Sequence, residues 1–369
     1  MTILLHTCGF DRPGALHAHH APDTAESGSA QAVHTGTGRK RAIDLHCHLM
    51  VGAIEQLVAD APQKKGERDF LMRMQGEAST LHNAKMFAAM ANMLMDIDTR
   101  LRDMDAMGVD IQVLSPSPGQ YYYWAEPDLA GEIVRLQNTR IAEAIAKHPD
   151  RFLGLGGLAL QHAELAIKQL EHAVRELGFK GVQISTAVNG VDLTDDRFNR
   201  FWARAEELRA LVFIHPLGTS LGERVNMNYL TNIVGQPLET TIALSKLIFS
   251  GMLDRHPDLK LLAAHGGGYL PAYIGRSDHG YMVRPEAQGI QHKPSEYLKR
   301  IYFDDLVFTP QQIKNLIAQV GISQVVVGTD YPFDMGQYDV QQIVSEVAGL
   351  SEAEREMILS GNASRLLAL

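Results

Sequence analysis

AIDLHCH, residues 42–48, is the stretch on which the fold turns: a short apolar run ending in two histidines one residue apart. Three later stretches repeat the form. LVFIHP at 211–216 carries His215, LKLLAAH at 259–265 ends in His265, and QVVVGTD at 324–330 ends in Asp330. Each run is short, rich in Val, Ile and Leu, and reads as a buried strand with a polar residue at its C-terminal edge. Residues i and i+2 of a strand face the same way, so His46 and His48 present two imidazoles together. Cys47, between them, points the other way and reads as a buried bystander. In a barrel of parallel strands the C-terminal strand ends form one rim, where residues far apart in sequence converge. Three or four imidazoles and a carboxylate suit one zinc-like divalent ion. The pattern implies a metal-dependent enzyme.

Outward from these runs, a strand–helix alternation begins at Arg41. Strands are expected at 42–47, 109–114, 152–158, 181–185, 211–215, 260–264, 301–304 and 325–329. Amphipathic helices are expected at 98–107, 128–147, 162–177, 197–209, 237–253, 268–283, 310–320 and 339–348. Eight such pairs imply an α/β fold, a (β/α)8 TIM-like barrel. The Met- and Ala-rich region 49–97 reads as a helical insertion after the first strand, near the barrel mouth. SEAE at 351–354 predicts a capping box opening the first of two closing helices. Residues 1–40, without strand or helix periodicity and including His17, His19 and His20, read as a flexible N-terminal arm. The division is an arm, 1–40, and a barrel domain, 41–369.

Composition removes several classes of function. A net charge of −9 argues against a nucleic-acid footprint and against attraction to an anionic membrane. Two cysteines, Cys8 and Cys47, are too few for a disulfide framework. No run of 18 apolar residues predicts a membrane span, and the N-terminus lacks a signal-peptide pattern, so the expected compartment is the cytoplasm.

The candidate residues differ in what their surroundings allow. His215 precedes Pro216, where a strand must stop. Asp330 follows an apolar run and needs a metal or a charge partner to be tolerated inside. It could also accept a hydrogen bond from metal-bound water. His265 reads either as a further ligand or as a general acid/base beside the metal. Gly266, Gly267 and Gly268 follow it, a flexible turn or a set of amides exposed to an oxyanion.

These residues resemble the amidohydrolase superfamily, and within it the branch typified by 2-amino-3-carboxymuconate-6-semialdehyde decarboxylase. The resemblance runs from about Ile43 to the C-terminus. It rests on IDLHCH at 43–48, RLRDMDAMGVDIQVLSPSP at 100–118, FIHPLG at 213–218, AHGGGYLPAYIGR at 264–276, PSEYLKRIYFDD at 294–305, GTDYPFDMG at 328–336 and SGNASRLL at 360–367. It implies that His46, His48, His215 and Asp330 bind one zinc ion, manganese being the other candidate. His265 would then be the acid/base, and Arg276 would bind a substrate carboxylate across the interface of a homodimer. The implied activity is non-oxidative decarboxylation of a small conjugated or aromatic carboxylic acid, with a metal-bound hydroxide and His265 moving the protons. The alternative is a hydrolase or hydratase of a lactone, amide or polarised alkene. Barrels of this kind that hold two metals need a lysine at the end of the fourth strand. Here GVQIS ends at Ser185 and Lys180 precedes the strand, so one metal is expected. Two departures leave the substrate open: no second carboxylate-binding arginine stands near Ala88, and Leu217 replaces the tryptophan expected after His215-Pro216.

Overall fold

The computed structural model describes residues 39–369. The arm reading therefore lies, except for its last two residues, outside the described residues. Eight parallel strands follow in chain order: β1 Ile43–Leu49, β2 Ile111–Pro116, β3 Phe152–Gly156, β4 Gly181–Ile184, β5 Leu211–Ile214, β6 Lys260–Ala263, β7 Ile301–Asp304 and β8 Val325–Val326. Each pairs with the next in sequence. The ring closes between β8 and β1 through the parallel bridges Asp44–Val327 and Cys47–Tyr331. Leu45 N donates to Val327 O at 3.0 Å and His48 N to Tyr331 O at 2.8 Å across this seam. All eight expected strands are present. The last is shorter as a ladder because its pairing with β1 continues only at isolated points. A two-residue hairpin, Ala187–Val188 with Val191–Asp192, follows β4. It is too short to leave a periodic trace in sequence.

The barrel interior is apolar through most of its depth. Ile43, Leu45, Ile111, Val113, Leu155, Leu211, Phe213, Leu262, Ala264 and Val326 form one buried cluster. Leu366 and Leu367 of the last helix, Asn362–Leu367, join that cluster where the strands begin. Burying each such Leu, Ile, Val or Phe contributes roughly 1.5–3 kcal/mol. The alternation along β1 breaks once. Its register against β2 shifts between Asp44 and Cys47, so Leu45 faces the apolar interior and His46, the next residue, does as well. A bulge of this kind re-aims every side chain beyond it. Asp44 leaves the interior and accepts from Gln112 Nε2 at 3.0 Å and Thr329 Oγ1 at 2.6 Å.

The helices lie close to their expected positions, and their ends follow local chemistry. Helix Ile97–Met107 starts at Asp96, whose carboxylate accepts from Thr99 N at 2.7 Å. It stops at Gly108, where the backbone turns left-handed, φ 73°. Helix Pro127–Lys147 buries Ile133, Val134, Ile141 and Ala144 on its sheet-facing side. The expected helix 237–253 divides at Gly251 into Gln236–Phe249 and Met252–Arg255. The capping box forms as expected between Ser351 and Glu354. Five helices fill the insertion: Gly52–Val58, Pro62–Lys65, Glu67–Gln75, Glu77–Ala89 and Ala91–Met95. The insertion is fastened to the loop after β5, where Asn226 Nδ2 donates to Arg73 O at 3.1 Å and Thr231 Oγ1 to Met74 O at 3.3 Å. Among the described residues no helix is long and apolar enough to cross a membrane.

Candidate metal centre

Three strand ends bring four side chains together at one end of the barrel. His46 and His48 come from β1, His215 stands one residue beyond β5, and Asp330 stands in the turn after β8. Their ligand atoms all lie within 4.8 Å of one another, and all four residues are buried. Among the described residues this is the one group of three or more His, Cys, Asp or Glu so arranged. His46 Nε2, His48 Nε2, His215 Nε2 and Asp330 Oδ1 are each buried without a hydrogen-bond partner. Asp330 Oδ1 is 3.2 Å from His46 Nε2 and 3.1 Å from His48 Nε2, close but not aligned for hydrogen bonds. A buried polar atom without a partner costs about 1–3 kcal/mol. Four such atoms converging on one point are what a divalent cation would satisfy, and an N₃O donor set suits one.

The far side of each imidazole fixes which nitrogen faces inward. His46 Nδ1 donates to Asp304 Oδ2 at 2.7 Å and His215 Nδ1 to Pro216 O at 2.8 Å. His48 Nδ1 lies 3.3 Å from Ser115 Oγ, whose own proton goes to Cys47 O at 2.8 Å. With protons held on Nδ1, Nε2 is the nitrogen that each ring turns toward the centre as its coordinating atom. Burial pushes His48 down to about 4 and holds His215 well below the usual histidine range. Burial also acts to lower His46, but the charges of Asp330 and Asp304 outweigh it and raise the ring to about 10. Asp330, despite burial, is held well below the usual carboxylate range by the charge of His46 and by the nearby imidazoles of His265 and His48. Its backbone is left-handed, φ 55°, with its N–H on His46 O at 2.7 Å. The Cys47 thiol turns away to Val113 O at 3.4 Å, as its place in the alternation requires.

His265 sits beside the four and not among them. Its Nε2 is 3.7 Å from Asp330 Oδ2, and its ring centre is 5.1 Å from that of His215 and 5.3 Å from that of His46. The glycines after it do not offer amides to a ligand. His265 N and Gly266 N donate to Asp304, Gly267 N to Ala264 O, Gly268 N to His265 O, and Tyr269 N to Thr241 Oγ1. Of the two readings left open for the triple glycine, the turn is the one present. At Gly268 (φ 65°) a Cβ would lie 2.0 Å from Pro237 O, and at Gly267 it would lie 2.6 Å from the Phe303 ring. Close approach is what requires glycine there.

The cleft that Arg276 borders is lined by none of the four metal-facing side chains. Arg276 lies exposed on helix Leu270–Val283, beside this cleft of ≈ 330 Å³ lined by Tyr269, Tyr273, Thr241 and Ser245. Tyr273 beside it is 71% exposed. On β4 the inward side chain is Gln183, whose Nε2 donates to Pro116 O at 2.9 Å and to Tyr121 Oη at 2.8 Å. No lysine of that strand reaches the interior. Sequence reasoning missed Asp304. It is fully buried at the end of β7, on the back of His46 and under the His265 loop. The available signal was FDD at 303–305, a carboxylate closing an apolar strand as Asp330 does.

A family model described as amidohydrolase matches residues 43–369. The chain is 34% identical to a 2-amino-3-carboxymuconate-6-semialdehyde decarboxylase of Dictyostelium discoideum over 336 residues, 90% of this chain and 92% of that protein. The solved structure of a 2,6-dihydroxybenzoate decarboxylase from Rhizobium is similar over 89% of this chain and 99% of that one, with 25% identity and a TM-score of 0.75. A 5-carboxyvanillate decarboxylase from Novosphingobium aromaticivorans, complexed with manganese and 4-hydroxy-3-methoxy-5-nitrobenzoic acid, shares the fold at 23% identity. Its TM-score is 0.80, over 90% of this chain and 97% of that one.

Proposed function

The chain belongs to the amidohydrolase family, and on that premise we propose that it is a metal-dependent non-oxidative decarboxylase of a small conjugated or aromatic carboxylic acid. The observation that carries this reading is the convergence of three partnerless Nε2 atoms and Asp330 Oδ1, with His265 beside them. His46, His48, His215 and Asp330 would hold one ion; zinc suits the donors, and manganese is the ion in the related 5-carboxyvanillate decarboxylase structure. When bound, a divalent ion supplies Lewis acidity toward a substrate oxygen. The remaining work falls to side chains. The carbon–carboxylate bond breaks, its electron pair stays on the substrate carbon, and His265 delivers the proton that replaces CO₂. Asp330 stays anionic and offers His265 Nε2 an acceptor to turn toward. The electron sink is the conjugated system of the substrate itself.

Incubation with a panel of conjugated and ortho-hydroxylated carboxylic acids tests the reading. One CO₂ should appear per substrate consumed, and the product should be lighter by one carboxyl group. A product heavier by one water, without CO₂, would replace this reading with the hydrolase or hydratase one.

Arg276 completes the proposal as the carboxylate-binding group delivered into a neighbouring subunit's site. Supporting this, it stands exposed on helix Leu270–Val283 with the exposed Tyr269 and Tyr273 beside it, in a cleft that none of the four metal-facing side chains lines. A guanidinium binds a carboxylate bidentately. We expect a homodimer, and Arg276→Ala that keeps its metal but loses substrate affinity. Mixing it with inactive His265→Ala chains should restore activity, because one site of each mixed dimer then lacks neither group. No recovery after demonstrated subunit exchange would exclude the cross-subunit role.

A further inference from the structure

We infer that Asp304 is a positioning residue that joins the metal ligand His46 to the backbone of the His265 loop, so that one carboxylate sets both. Its two oxygens divide the work. Oδ2 accepts from His46 Nδ1 at 2.7 Å and from His265 N at 3.0 Å. Oδ1 accepts from Gly266 N at 2.8 Å and from Leu306 N at 3.3 Å. Asp304 is fully buried, so water does not substitute for any of these donors. The bond to His46 keeps the ring proton on Nδ1 and the coordinating lone pair on Nε2. The bonds to His265 N and Gly266 N hold two successive residues in left-handed conformations, φ 55° and 60°. Such a conformation is costly for a histidine and persists only when its surroundings enforce it.

A second observation bears on the same contact. A Cβ at Gly328 would stand 2.6 Å from Asp304 Cβ and 2.9 Å from His46 Cβ. The absence of a side chain at 328 is what lets the carboxylate and the imidazole approach. Three strand ends, β1, β7 and β8, and the loop after β6 therefore meet at this one point. The inference rests on the metal reading for its His46 half alone; the loop half stands without a metal.

Asp304→Asn separates the two halves. Its Oδ1 keeps Gly266 and Leu306, but the amide nitrogen now faces two donors, His46 Nδ1–H and His265 N–H. Relief on the His46 side requires moving the ring proton to Nε2, the atom aimed at the metal. We expect Zn²⁺ or Mn²⁺ affinity, measured by chelator competition, to fall ~10–100-fold, the usual cost of losing a ligand's supporting hydrogen bond. At saturating metal, kcat should stay depressed with KM little changed, because His265 remains displaced. The wild-type zinc form should show a downfield imidazole N–H resonance from His46 that the variant lacks. In metal-free protein, amide exchange at His265 and Gly266 should be faster in the variant than in wild type.

Gly328→Ala probes the same contact by pushing the intact Asp304 and His46 apart and should weaken metal binding in the same direction. Should Asp304→Asn fail to fold, that variant and the wild-type resonance carry the test. Unchanged metal affinity in folded variants, or kcat fully restored by metal, would overturn the inference. A wild-type protein that binds no divalent ion would instead remove the metal reading, leaving the exchange result to decide the loop half.

Discussion

Replacing His48 by alanine is expected to leave a folded protein whose metal content falls to background and whose turnover falls with it. His48 is the cleaner ligand to remove. Burial keeps it uncharged, with a pKa of about 4, and apart from the Asp330 Oδ1 atom 3.1 Å away its polar neighbour is Ser115 Oγ at 3.3 Å. Removing His46 instead strips both Asp304 and Asp330 of a partner inside the barrel. An uncompensated buried charge costs about 3–5 kcal/mol, so His46→Ala should lose its metal and also melt at a lower temperature. The loss of affinity in each case should exceed the ~10–100-fold that follows from losing only a supporting hydrogen bond. Elemental analysis after dialysis reads the first effect and thermal unfolding the second. A full metal equivalent retained by the His46→Ala, His48→Ala double variant would sink the ligand assignment. Two tightly held equivalents in the wild type would overturn the single-metal proposal.

His265→Ala should keep its metal and lose ~10²-fold or more in turnover, the range expected for removing a general acid–base group. The separation follows from position. His265 Nε2 faces Asp330 Oδ2 across 3.7 Å, outside the four atoms that lie within 4.8 Å of one another. Its backbone is held by Asp304, whose bonds are to main-chain amides that alanine retains. The loop should therefore keep its shape. Loss of metal in this variant would make His265 a ligand, and full activity would remove it from the mechanism.

The barrel and its four metal-facing residues were legible in the sequence because each coincides with a one-dimensional signal. An apolar run gives the strand, its polar last residue gives the rim, and the rim gives convergence. Legibility failed where a side chain's direction depends on more than alternation. FDD at 303–305 offers two adjacent carboxylates at a strand end, both buried, and only the fold shows that Asp304 turns inward to His46. The shift in β1 between Asp44 and Cys47 is likewise silent in sequence, because a bulge conserves residue type and changes only facing. HGGG was ambiguous for a different reason. Glycines that clear space for a neighbouring carbonyl and glycines that bare their amides read alike until the acceptors are known.

The five consecutive N–H groups from His265 to Tyr269 are all engaged within the protein. That has a consequence for how such an active site can diversify. Nothing in this turn is tuned to a particular oxyanion, so these five amides impose no requirement on which atom of a substrate bears developing charge. The choice of reaction is left to side chains contributed by independent rim loops and to the electronics of the molecule that binds. Point substitutions at the rim can then exchange one acid for another while the turn and its anchor stay as they are. The rigid part of the site is chemically self-contained, which leaves substrate choice to what surrounds it.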